Sequence, residues 1–133
     1  MFAISTKLDY GLIVLRELAL SYRKGPRPLR SIARKHGLPF AYVGQIVVPL
    51  RAAGFLRSQE GAHGGYELAR SPKHITLKEV SEALAPHVKL NRCLLEDKEV
   101  CRRKNRCSMS PWWMHFNQRF QKMLSDITLA DLL

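Results

Sequence analysis

The stretch from Leu29 to Gly54, "LRSIARKHGLPFAYVGQIVVPLRAAG", limits the possible fold more than any other part of the chain. Its first part, "LRSIARKHG", has the length and ending of a short helix closed by Gly37, and "LPFAYVGQIVVPLRAAG" reads as a second helix closed by Gly54. Val43, Ile46, Val47, Leu50 and Ala53 recur at helical steps and form the expected buried stripe of the second helix. Two short helices joined by the tight "GLPF" turn have the outline of a helix-turn-helix. Pro49 lies inside the second helix, where a proline costs about 3 kcal/mol and removes a backbone donor. A bend is expected there, beyond the part of the helix that would enter a nucleic-acid groove.

The flanking segments extend this outline. From Ser5 to Tyr22, the apolar residues Leu8, Leu12, Leu15, Ala19 and Tyr22 follow steps of three and four, with Ser5 or Thr6 placed to cap the first turn. "YRKGPRP" then breaks the helix. After the second short helix, Phe55 to Ser58 and Tyr66 to Ala69 flank a turn containing Gly61, Gly64 and Gly65, the pattern of a β-hairpin and hence of a wing. "ITLKEVSEAL" carries a capping box in Thr76 and Glu79 and an apolar face of Val80, Ala83 and Leu84, and Pro86 stops it. Near the C-terminus, "SPWWMHFNQRFQKMLSDI" places Trp113, Phe116, Phe120, Met123 and Ile127 along one helical stripe. That stripe reads as a contact surface for a second copy of the chain, with packing inside one chain as the alternative. The expected fold class is mainly α with a small β-hairpin wing. Residues 1–86 form a winged helix-turn-helix domain, 87–108 a cysteine-containing loop, and 109–133 a long dimerisation helix with its tail.

Charge narrows the partner. Twenty-two Lys and Arg against eleven Asp and Glu give a formal charge of +11, which favours a polyanion. Nucleic acid suits it better than a membrane surface, since no basic amphipathic anchor stands out; a merely solvated basic surface is the bland alternative. Lys7, Asp9, Arg16 and Glu17 interrupt the apolar N-terminal run, so it neither spans a bilayer nor forms a signal-peptide core, and a cytoplasmic location is expected. In a helix-turn-helix the second helix enters the major groove. Ala41, Tyr42 and Gln45 would face it there, with Gln45 able to pair in bidentate fashion with adenine. Arg51 and Arg57 would hold the backbone, Arg30 with Arg27, Arg34 and Lys35 would enlarge the positive face, and His63 stands at the slim wing tip. Glu60 at the base of that tip opposes phosphate. No phosphate loop, carboxylate pair or Ser/His/Asp constellation suggests an enzyme.

All three cysteines, Cys93, Cys101 and Cys107, fall in "CLLEDKEVCRRKNRC". An odd number in one window is not fully spent on internal disulfides. Their C-x7-C-x5-C spacing is wider than that of structural zinc knuckles, and no histidine follows closely as a fourth ligand. Arg102, Arg103, Lys104 and Arg106 favour thiolates and would offset the charge of a ligated iron–sulfur cluster. From the residues alone, a metal site and a redox-sensing thiol group stand about level, and simple buried or incidental cysteines are the lesser alternative.

"STKLDYGLIVLRELAL", "SIARKHGLPFAYVGQIVVPLRAAGFLRS", "GAHGGYELARSPKHITLKEVSEAL", the three cysteines and "SDITLADLL" together resemble the Rrf family of bacterial winged-helix regulators over nearly the whole chain. The resemblance implies a homodimer with crossing C-terminal helices, binding of double-stranded DNA at a palindromic operator, and an iron–sulfur cluster on Cys93, Cys101 and Cys107. A four-iron cluster is favoured over a two-iron one. Some members draw a fourth ligand from a histidine soon after the third cysteine, and His115 lies too far on to match. Others use an N-terminal aspartate of the partner subunit, the place that Asp9 occupies. Glu96, Asp97, Glu99 or water are the other candidates, and an acid in a helix's first turn is also favoured by the helix dipole alone. Gly44 and Glu60 depart from residues common in the family, so its operators do not carry over. The reading is a cluster-sensing transcription regulator; the alternatives are a cluster-free thiol-redox regulator and a basic protein-interaction adaptor.

Overall fold

A computed structural model describes residues 4–86, 90–94 and 101–133. Helices α1 (Thr6–Leu20), α2 (Leu29–His36) and α3 (Phe40–Ala52) lead into the strands β1 (Leu56–Gln59) and β2 (Gly65–Leu68); α4 (Leu77–Leu84) and α5 (Ser110–Asp126) follow. The Ser5 hydroxyl accepts from the Leu8 N–H at 3.2 Å and so satisfies one of the orphan donors at the start of α1. Gly37 takes up the left-handed conformation that ends α2, with φ at 64°. The Leu38 N–H then donates to the Ala33 carbonyl at 2.8 Å, closing the turn between α2 and α3.

Val14, Leu15 and Leu18 of α1, Ile32 of α2, and Val43, Ile46 and Leu50 of α3 form one buried core with Phe55, Leu56 and Leu68 of the wing and Val80 and Leu84 of α4. Ala53 lies outside it: the residue caps α3 after its last turn and is exposed, so the buried stripe stops at Leu50. α3 continues through Pro49 to Ala52. The ring leaves the Gln45 carbonyl without its usual donor four residues on, and exposed Gln45 sits where water can serve. α1 and α4 approach closely at Gly11, where a Cβ would collide with the Leu84 side chain.

The wing pairs Leu56 with Leu68, Arg57 with Glu67, Ser58 with Tyr66 and Gln59 with Gly65 in antiparallel register. Its strands sit one residue later in β1 and one earlier in β2 than the β-branched and aromatic content suggests. "YRKGPRP" does more than end α1. Arg27 exchanges both backbone hydrogen bonds with Tyr66, at 2.8 and 2.9 Å, and adds a third edge to the hairpin.

In α5 only Ser110 is fully buried; Trp113, Phe120 and Ile127 of the expected stripe are half-buried, on a helix that packs on α4, whereas Phe116 and Met123 of that stripe are exposed together with Trp112 and Met114. The chain beyond α5 behaves differently. Ile127 accepts from the Leu77 N–H at 2.9 Å, and the Leu129 N–H donates to Ile75 at 2.8 Å. Thr128 and Asp131 form a capping box around a final 3-10 turn, Leu129–Leu132. Leu129 is fully buried in the winged-helix core, and the Arg16 guanidinium holds the Leu132 carbonyl at 2.8 Å. The segment grouped by sequence with the expected dimerisation helix is thus a clasp on the core that α1–α4 and the wing build.

Candidate nucleic-acid interface and the cysteine segment

The outer face of α3 carries the exposed residues Ala41, Gln45, Val48 and Arg51, with Gly44 half-buried among them. Tyr42, expected to point outward, is half-buried, and its ring meets Tyr10 edge-on at 5.8 Å. Arg30 stacks its guanidinium over the exposed Phe40 ring at 4.2 Å, which places a cation beside the start of α3. Arg57 donates to Glu67 across the hairpin at 2.7 Å, so much of its charge is answered within the chain. His63 and Glu60 are both exposed in the wing turn.

Glu17, read in the sequence only as one of the charges that interrupt the N-terminal apolar run, proves central to how these helices are held. It follows Val14 at three residues and precedes Ser21 at four, on the buried side of α1, and is only 2% exposed. Lys35 donates to its Oε1 at 2.9 Å, and His36 Nε2 lies 2.8 Å from the same oxygen. Burial pushes the Glu17 carboxyl up, but hydrogen bonds and charge from Lys35 and His36 outweigh it and hold the group below its ordinary range. The end of α2, and with it the turn that sets α3, is thereby anchored to α1. A glutamate on an apolar stripe, with the run "RKH" elsewhere in the chain, was the available signal. Arg70 joins Glu79 at 3.1 Å and covers the Phe55 ring at 5.0 Å, tying the wing to α4.

Cys93 is buried in a 3-10 turn, Arg92–Leu94, that packs on α5. Cys101 and Cys107 are half-buried and bracket the exposed run Arg102–Arg106. Lys104 N–H donates to the Cys101 carbonyl at 3.3 Å and Ser110 N–H to that of Cys107 at 3.2 Å, so the last cysteine leads directly into α5. All three are free thiols. Among the described residues, no three His, Cys, Asp or Glu side chains converge as a metal site. Asp9 is exposed in the first turn of α1, and His115 is exposed on α5. Glu96, Asp97 and Glu99 lie outside the described residues. The donor chemistry of three thiols among four cations fits an iron–sulfur cluster, although one chain by itself does not bring the donors together.

A helix-turn-helix followed by a hairpin, in a strongly basic chain with a long helix near its end, defines the class of winged-helix transcription regulators. The Rrf2 family model, described as an iron-dependent transcriptional regulator, matches residues 4–133. The chain belongs to this family. It is 36% identical over 129 residues to the HTH-type transcriptional regulator CymR of Bacillus subtilis, covering 97% of this chain and 88% of the relative. With the regulator IscR of Yersinia pseudotuberculosis it shares 32% over 130 residues, 98% of this chain and 78% of that one. The structure of B. subtilis CymR, named as the global cysteine regulator, superposes with a TM-score of 0.80 at 36% identity and covers 99% and 96% of the two chains. T. potens IscR gives 0.79 at 31% identity, with 98% and 85% covered. These relatives are regulators and not enzymes, and no helix among the described residues is long and apolar enough to cross a membrane.

Proposed function

We propose that this chain is a cytoplasmic homodimeric regulator that binds a palindromic DNA operator and senses iron, nitric oxide or redox state through an iron–sulfur cluster. The carrying observation is the placement of all three thiols in the basic segment that joins the winged-helix domain to a helix with one exposed aromatic side. Trp112 and Phe116 stack at 5.2 Å on the exposed side of α5, an apolar surface suited to the same helix of a second copy. Cys93, Cys101 and Cys107 would hold the cluster, and Asp9 of the partner subunit would complete the set. When bound, the cluster supplies an iron centre reactive towards oxygen and nitric oxide. Arg102, Arg103, Lys104 and Arg106 offset its negative charge. A shift at the Cys107–Ser110 junction would move α5, whose far end is clasped to Ile75 and Leu77 at the start of α4. A change at the thiols is thereby passed to the DNA-binding domain.

A second reading draws on the half-buried Cys101 and Cys107 at the two ends of one turn run, and on the naming of CymR as a cysteine regulator. There, two thiols give up two protons and two electrons to an oxidant and join as a disulfide. Anaerobic spectra of four variants separate the readings. Cys93→Ala, Cys101→Ala and Cys107→Ala should each lose the visible absorption of the parent yet remain folded dimers. Asp9→Ala should keep a cluster on three thiolates with an altered spectrum and faster decay in air, because oxygen donors hold iron less firmly than thiolate. Full retention in a cysteine variant removes that residue from the ligand set, and a colourless parent favours the thiol reading.

A further inference from the structure

The face of α3 turned to solvent is unusually apolar for a nucleic-acid reader. Val48 is 66% exposed, and Ala41, Gln45 and Ala52 complete its strip at steps of three and four. Gly44 opens onto empty space. Between this face and β2 lies an open groove of about 420 Å³, lined by Gly44, Val47, Val48, Arg51, Ala52 and Tyr66. α3 contains no acidic residue, so nothing on it accepts the amino hydrogens of cytosine through a carboxylate. Gln45 is its exposed amide, and Arg51 its cation. Nothing in the core requires a valine at position 48, because the buried stripe of α3 is complete without it.

We propose that Val48, with Ala41, reads thymine C5-methyl groups beside an adenine held by Gln45, so that each half-site presents a run of A·T pairs to this helix. The inference rests on the DNA-binding function above and names the sequence class that it selects. Only thymine offers a methyl in the major groove, and apolar side chains are its natural partners, whereas cytosine in its place presents an amino group and a bare C5 position and gives Val48 no methyl to bury. Arg51 at one end of the strip and Arg30 over Phe40 at the other place cations where the flanking phosphates would run. The net charge of +11 supports a polyanion and not an apolar protein helix as the occupant of this face.

The test uses the full-length protein, purified anaerobically, and the tightest duplex recovered from a randomised pool. Each half-site thymine is replaced in turn by deoxyuridine, which removes the methyl and leaves the hydrogen-bonding edge intact. The parent should lose about fourfold in affinity at the thymine beneath Val48, the worth of one buried methyl. Val48→Ala should lose a similar factor on the thymine duplex and show no response to deoxyuridine at that site. Indifference of the parent to every substitution, a selected half-site without thymine, or full sensitivity retained in Val48→Ala would each overturn the proposal while leaving DNA binding intact. Failure to bind any duplex would instead overturn the DNA-binding function and this inference with it.

Discussion

Gly65→Ala should lower stability by about 3 kcal/mol and the midpoint of thermal unfolding by roughly 10 °C. Gly65 opens β2 with φ at 149°, a conformation that side-chain-bearing residues rarely adopt. A Cβ there would also run into the Arg27 carbonyl and lie 2.8 Å from the Pro28 nitrogen. These are backbone atoms held by the Arg27–Tyr66 pairing, so no side chain can swing aside to make room. Relief requires the wing to part from the segment before α2, which detaches the hairpin from the domain that aims α3. Circular dichroism melts of parent and variant decide the matter: midpoints within about 2 °C would show that the wing accommodates the methyl group.

Leu129→Ala should cost about 2–5 kcal/mol, the range for truncating a fully buried leucine that leaves a cavity. The residue lies in the last turn of a tail attached to a largely exposed helix, and only its burial gives it such weight. The backbone of its turn is held at both ends, at Leu129 by the N–H bond to Ile75 and at Leu132 by the Arg16 guanidinium on the carbonyl. Loss of the side chain therefore loosens the tie between α5 and the start of α4 as well as the core. Leu133→Ala, at an exposed position four residues on, should change stability by less than about 0.5 kcal/mol. Urea unfolding midpoints of the two variants make the comparison, and equal midpoints would deny the clasp its role.

Local signals carried far in this sequence. Ser5 and Thr76 mark helix starts because their hydroxyls satisfy backbone donors a few residues away, and Gly37 marks an end because it tolerates positive φ. Such chemistry is written in neighbouring letters. The Glu17–Lys35–His36 cluster, the Arg27–Tyr66 bridge and the Tyr10–Tyr42 contact join residues that are far apart in the chain, and their meeting depends on how α1, α2 and the wing pack. The tail was harder still. Its capping box at Thr128 and Asp131 was present in the letters, but only the fold shows that Leu129 enters the core. Arg57 and Tyr42 look free in sequence, and the cross-strand glutamate and the α1 tyrosine engage them. The cysteine set was legible as a group by composition. What the three thiols do together was not legible, because their spacing fits a metal site and a redox-active thiol group alike.

The most direct test of the account combines two readings on one sample: iron and acid-labile sulfide content of the anaerobically purified protein, and its affinity for a selected palindromic duplex before and after the iron is removed. A cluster-sensing regulator gives iron and sulfide together with a visible absorption band, and its DNA affinity differs between the two forms by at least about fivefold. A colourless protein without iron or sulfide, or one whose DNA affinity is the same with and without them, would contradict it.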